Sequence, residues 1–164
     1  MSGASEREAG LAREVDDAFK ARAHLYRLML DVIGERHGPD EAEAILTEIV
    51  LRRGVEVAKP LFQGCDVTPE AIGRRFLSVS PAGGTLYPHD VDQSAGAFTI
   101  SVHRCPLKDA WREAGLSDQR IATLCRIAGA FDKGLFEAAG LGFENSTWSA
   151  ERGGGCCRIT LLPA

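Results

Sequence analysis

The feature that most constrains this chain is a change of hydrophobic period at Ser80-Pro81-Ala82-Gly83-Gly84. Before it, apolar residues recur at three- and four-residue steps, the spacing of one helix face. After it, Phe98, Ile100 and Val102 alternate with Thr99, Ser101 and His103, the spacing of a strand. Helices first, then strands and helices on short antiparallel connections, make an α+β domain. The expected architecture is N-terminal helices followed by a mainly antiparallel sheet of about four strands, with helices packed on one face.

The boundaries follow from local chemistry. Leu11, Val15, Ala18, Leu25, Leu28, Met29, Val32 and Ile33 predict one long helix over residues 5 to 37, stopped by Gly38-Pro39. A second helix starts at Pro39, which a first turn tolerates, and Gly54 either ends or interrupts it. Thr68 caps a third that runs to Leu77. Beyond the turn, Thr85–His89 and Ala97–Arg104 read as strands. Leu107–Ala114 reads as a short helix, and Ser117 caps another that runs to Ala139. Gly142–Trp148 and Cys156–Leu162 read as the last strands, flanking a glycine-rich turn at Gly153–Gly155. One domain is expected, residues 1–78 helical and 79–164 carrying the sheet.

Composition narrows the function. With 19 Lys and Arg against 23 Asp and Glu, and no basic block, nucleic acid is not an expected partner. No apolar run reaches the roughly 20 residues that span a bilayer, so no membrane partner is expected. The N-terminus lacks the apolar core of an export signal, which predicts a cytoplasmic location with reduced thiols. Five cysteines, two of them adjacent, make a poor disulfide framework.

The reactive residue types gather in three late segments. In the first, strand alternation puts His103 and Cys105 on one face, where a histidine can activate a thiol. The alternative is a packed strand-end thiol with His103 in water. The same alternation sets Arg104 beside Phe98, Ile100 and Val102. There its guanidinium needs either a protein carboxylate or a substrate carboxylate. Trp111 is most simply a core residue. In the second segment, Cys125 and Asp132 share a helix face with a hollow at Ala128 and Gly129 between them, fit for a small polar ligand or for close helix packing. In the third, alternation puts Cys157 with Ile159 and Leu161 on the apolar side, and Cys156 with Arg158 and Thr160 on the other. Cys105, Cys125 and Cys157 are the one combination that could bind metal as thiolates. No zinc motif is present, and no glycine-rich loop opens a helix after a strand, so no nucleotide cofactor is expected.

Arg104-Cys-Pro-Leu-Lys-Asp-Ala-Trp111, Leu124-Cys125 followed by Gly134, and Gly155-Cys-Cys-Arg-Ile159 resemble the L-2-amino-thiazoline-4-carboxylic acid hydrolase family. Phe76-Leu-Ser-Val-Ser-Pro81 extends the likeness upstream, to roughly residues 75–162. Where relatives carry Cys-x-x-Asp this chain has Cys125-Arg-Ile-Ala128, which leaves a carboxylate's work to Asp132 one turn on. The resemblance implies a hydrolase that opens a small cyclic C–N/C–S compound such as a 2-aminothiazoline carboxylate. Arg104 or Arg158, with Trp111, would bind substrate. Cys105 or Cys125 would be the nucleophile, and Asp132 or His103 would move protons. A divalent metal such as zinc or manganese is left open as cofactor.

Two further readings compete with this. One is a small-molecule or metal binding domain without turnover on the same fold. The other is an interaction module in which the first helix forms a homo-oligomer, because its apolar stripe exceeds what a small sheet can cover.

Overall fold

The computed structural model describes residues 3–152 and 155–164. Five helices and four strands follow in the order α1 (Gly3–His37), α2 (Pro39–Phe62), α3 (Pro69–Ser78), β1 (His89–Ser94), β2 (Ala97–Val102), α4 (Pro106–Glu113), α5 (Asp118–Ala138), β3 (Gly142–Ser146) and β4 (Arg158–Leu162). The sheet is antiparallel throughout, in the order β1-β2-β4-β3. The α+β architecture expected from the change of period is what forms. No helix among the described residues is long and apolar enough to cross a membrane.

The helix starts are set as the sequence implies. Thr68 Oγ1 accepts from the Ala71 backbone N–H at 3.2 Å, and Ser117 Oγ accepts from that of Arg120 at 3.4 Å. Gly54 neither ends nor interrupts α2, which runs on to Phe62. Its role is contact: a Cβ there would lie 2.1 Å from Phe131 O on α5. One at Gly134 would lie 2.1 Å from Leu51 O on α2. The two glycines let the backbones of α2 and α5 touch.

The first strand departs from expectation. Thr85–His89 is not a strand: a short 3-10 turn at Pro81–Gly84 continues through the bond from Tyr87 N–H to Gly84 O, and pairing begins only at His89, opposite Val102. The strand that does form, His-Asp-Val-Asp-Gln-Ser, is an exposed edge with no buried face, so no apolar alternation marks it. β2, β3 and β4 form inside their expected spans but shorter. Gly153 and Gly154 of the expected glycine turn lie outside the described residues.

Two connected cores result. Phe98 and Ile100 of β2 and Ile159 and Leu161 of β4 meet Ile72, Leu135 and Phe136 from the helices. The other core joins Ala23 and Leu30 of α1, Leu46 and Val50 of α2, Trp111 of α4, and Leu124 and Ile127 of α5. This second core carries Cys105, Cys125, Cys156 and Cys157.

Candidate active site

Cys105 sits where β2 gives way to α4. Pro106 forces the residue before it into extended backbone, and Cys105 takes φ −137° and ψ 120° as the N-cap of the helix. Cys105 thus stands at the N-terminal end of α4, where the helix favours a negative charge, though its side chain makes no capping hydrogen bond. The neighbouring Cys156 thiol is the largest influence favouring the Cys105 thiolate, and the Lys108 and Leu107 backbone N–H groups act the same way. Together they overcome burial and the nearby Asp109 charge, and bring the Cys105 thiol down to about 7. Cys156 is pushed far up for the complementary reason: Cys105 is the largest influence on it, with Cys157 and burial acting the same way.

The placement of Cys156 overturns the alternation expected there. Regular pairing begins only at Arg158. Before it the chain bends, with Cys156 N–H donating to Val102 O at 2.9 Å and Cys157 O accepting from Val102 N–H at 2.8 Å. The bend turns Cys156 into the core at 6% exposure and leaves Cys157 half-buried, with their sulfurs 3.5 Å apart.

Asp132 of α5 is the second perturbed group. The residue keeps some solvent exposure, yet its carboxyl is crowded by protein atoms. That burial, with the Cys105 charge adding and Arg22 opposing, pushes it up to about 7. It makes no ion pair among the described residues. Tyr87 is raised by burial, then by Cys105, with Arg22 opposing and Asp132 and Cys156 adding. Tyr26 is also raised by burial, with Arg22 opposing. Arg22 lies over the Phe19 ring, 4.3 Å from its centre, and Phe19 meets Tyr87 edge-on at 5.6 Å. Tyr87 thus feels the charges of Cys105, Arg22, Asp132 and Cys156, which puts the five in one region.

The other expected residues stand apart from this group. His103 is exposed, with Nε2 2.9 Å from Asp90 Oδ2, while Cys105 is turned inward; they do not share a face because the strand stops at Val102. For the same reason Arg104 leaves the apolar face. Its Nε donates to Asp109 Oδ2 at 2.7 Å and its Nη2 to Asp16 Oδ1 at 3.2 Å, so a protein carboxylate is the partner. Arg158 is exposed on β4. Trp111 is fully buried and donates to Ala23 O at 2.8 Å. Cys125 is buried, and burial, with the Cys157 and Cys105 charges, raises its thiol so that it stays protonated at neutral pH.

The hollow expected at Ala128 and Gly129 is filled: a Cβ on Gly129 would lie 2.7 Å from Asn145 Nδ2 and 2.9 Å from Thr147 Cγ2. Among the described residues no three His, Cys, Asp or Glu are arranged to hold a metal ion, so Cys105, Cys125 and Cys157 do not converge as a thiolate set.

A groove of about 260 Å³ is lined by Asp16, Leu86 and Arg104, and none of the five cluster residues lines it. The larger cleft, about 730 Å³, lies elsewhere, between α1, α2 and the start of α5. Its Arg120 and Arg126 are already paired with Asp31 and Glu43.

Sequence reasoning missed Cys156, Tyr87 and Arg22. Only Cys156 carried a signal, its place in a cysteine-bearing segment, and strict alternation assigned it to the wrong side.

The model of the L-2-amino-thiazoline-4-carboxylic acid hydrolase family matches residues 18–161. The chain belongs to that family. Membership in the L-2-amino-thiazoline-4-carboxylic acid hydrolase family takes in most of α1 and all of α2, beyond the C-terminal half in which the likeness was legible. A search of the curated proteins finds no match. Among solved structures, the chain is similar to a trafficking protein particle complex subunit 3 from Naegleria fowleri covalently bound to palmitic acid. The identity is 12% and the TM-score 0.55, over 88% of this chain and 94% of that one. That likeness is one of fold.

Proposed function

We propose that this protein is a cysteine hydrolase of small cyclic amidine-type compounds, the 2-aminothiazoline carboxylates that the family name describes. The observation that carries the reading is Cys105 at the N-terminal end of α4 in a chain of this family, with its thiol lowered to about 7 and the Asp132 carboxyl, which feels the Cys105 charge, raised to about 7. A thiolate and a protonated acid then coexist near neutral pH, the combination that a nucleophilic ring opening requires.

In this reading the Cys105 thiolate adds to the ring carbon between nitrogen and sulfur. The carbon–sulfur bond of the ring breaks, and Asp132 gives its proton to the departing sulfur. The enzyme is left bound to substrate as an isothiourea. Asp132, now a carboxylate, takes a proton from water as that water attacks the same carbon; Cys105 leaves, and a carbamoylated cysteine is released. Arg22 is the cation placed to receive the ring carboxylate. Purified protein should consume 2-aminothiazoline carboxylate, and Cys105→Ser should not. Wild-type protein that leaves the ring intact, with or without added zinc or manganese, would overturn the assignment.

The runner-up is a domain that captures a small molecule on Cys105 without turnover. The similar fold of a trafficking subunit described as covalently bound to palmitic acid favours it. Under that reading Cys105→Ser abolishes covalent capture, and the wild type shows no catalytic cycle.

A further inference from the structure

Three of the five thiols stand in a row. Cys156 is the middle one: its sulfur lies 3.5 Å from that of Cys157, and it is the neighbour that acts most strongly on the Cys105 thiol. Two segments far apart along the chain are fastened to make this row. Val102, which precedes Cys105 at the end of β2, accepts from Cys156 N–H and donates to Cys157 O. Beyond Cys105, in the first turn of α4, the buried Lys108 donates from Nζ to Gly155 O at 3.1 Å. The turn that carries Cys156 is therefore tied to the chain on either side of Cys105. The proposed ring opening gives Cys156 no bond to make and Cys157 no part at all.

We propose that the row is an oxidation site: a hydroperoxide oxidises Cys105, and Cys156 captures the product as a reversible Cys105–Cys156 disulfide. The Cys105 thiolate attacks one peroxide oxygen. The O–O bond breaks, hydroxide leaves and takes up a proton as water, and Cys105 is left as a sulfenic acid. The Cys156 sulfur then attacks the Cys105 sulfur. The S–O bond breaks, the Cys156 proton departs with the hydroxyl as a second water, and the S–S bond forms. Two thiols are oxidised and one hydrogen peroxide is reduced to two waters.

The order of the row selects the partner. Cys157 bears on Cys156 and Cys125, and Cys125 feels Cys105 as a charge, whereas Cys156 is the strongest influence on the Cys105 thiol and is fixed beside it by backbone bonds. Oxidation also frees Cys156 to react. The largest influence holding its proton is Cys105, and a sulfenic acid carries no charge. Without a second thiol, a sulfenic acid that meets more peroxide passes irreversibly to the sulfinic acid. The disulfide occupies the Cys105 sulfur, so oxidised protein opens no ring; that consequence rests on Cys105 being the nucleophile of the hydrolase proposed above, and the bond itself does not.

Hydrogen peroxide in slight molar excess over the full chain, followed by intact mass and peptide mapping, tests this. Wild type should lose two hydrogens and two of its five free thiols, with Cys105 joined to Cys156, and a dithiol should restore both thiols. Cys157→Ser should still form the bond, and Cys65→Ser should behave as wild type. Cys156→Ala should instead gain two oxygens at Cys105 that a dithiol does not remove, read at completion because the substitution also slows ionisation of Cys105. The wild-type map decides alone if that variant folds poorly. Oxygens gained at Cys105 of wild type with Cys156 still free would overturn the proposal. So would a Cys156–Cys157 bond that forms equally in Cys105→Ser, or five thiols left untouched. A chain that forms the bond yet opens no ring before oxidation counts against the hydrolase alone.

Discussion

The Cys156 thiol, 3.5 Å from that of Cys157, is also the largest single reason the Cys105 thiol lies near 7. A hydrogen bond to a charged group is worth about 1.5–3 kcal/mol, or roughly one to two pKa units. Cys156→Ala should therefore raise the Cys105 pKa by roughly one to two units, read as thiolate absorbance or alkylation rate against pH. The hydroxyl of Cys156→Ser should restore part of the shift. An unchanged titration would show that the helix N-terminus alone sets the thiol.

The two perturbed groups predict a narrow pH optimum. Cys105 must have lost its proton, so kcat/KM rises as pH climbs through about 7. Asp132 must keep its proton for the departing sulfur, so the rate falls as pH passes about 7. The profile should be a bell centred near 7, whose two apparent values belong to the pair. Asp132→Asn should lower kcat by roughly 10²–10⁴ and remove the alkaline limb. A flat profile from pH 6 to 9 would contradict the pairing.

The same carboxyl should weaken the fold as pH rises. Its pKa is raised from 3.8 to about 7, so between those values the folded chain holds a proton that the unfolded chain has released. Stability therefore falls from pH 4 to about 7 and levels off above. The loss is on the order of a few kcal/mol at most, reduced by the partial exposure of Asp132. Urea unfolding at pH 5 and pH 8 should show Asp132→Asn losing less stability between the two than wild type does.

Much of this was legible beforehand. Thr68 and Ser117 announced the starts of α3 and α5, and the switch of period announced the sheet, because caps and alternation are local chemistry. Cys105 and Asp132 were legible as chemistry-bearing residues for the same reason. What brings them together was not. Arg22, Tyr87 and Asp132 lie far apart along the chain and meet only through packing. The inward turn of Cys156 comes from a bend that breaks the strand's alternation. The edge strand β1 escaped notice because a strand exposed on both faces has no apolar pattern to read.

Gly54 and Gly134 bring α2 and α5 into backbone contact, so a methyl at either should be costly despite alanine's better helix propensity of about 1 kcal/mol. The blocking atoms are backbone carbonyls of the opposite helix, which cannot swing aside as a side chain can. Gly54→Ala or Gly134→Ala should lose about 2 kcal/mol or more in urea unfolding, the range of overpacking. Gly10→Ala, which meets nothing within 4 Å, is the control and should not destabilise.

Trp111 separates stability from chemistry inside the same motif as Cys105. Its indole is wholly buried and its Nε1 donates to Ala23 O, tying α4 to α1. Trp111→Phe removes the donor and leaves space where the larger ring was, although Ala23 O keeps its partner within α1. The summed cost should be about 2–4 kcal/mol. Because α4 keeps its N-terminus and Cys156 its place, the Cys105 titration should move by less than about half a unit, well under the shift that a lost hydrogen bond to the thiolate would give. Chemical denaturation and thiolate titration on the same variant check both halves. A large pKa change with little loss of stability would instead place Trp111 in the site itself.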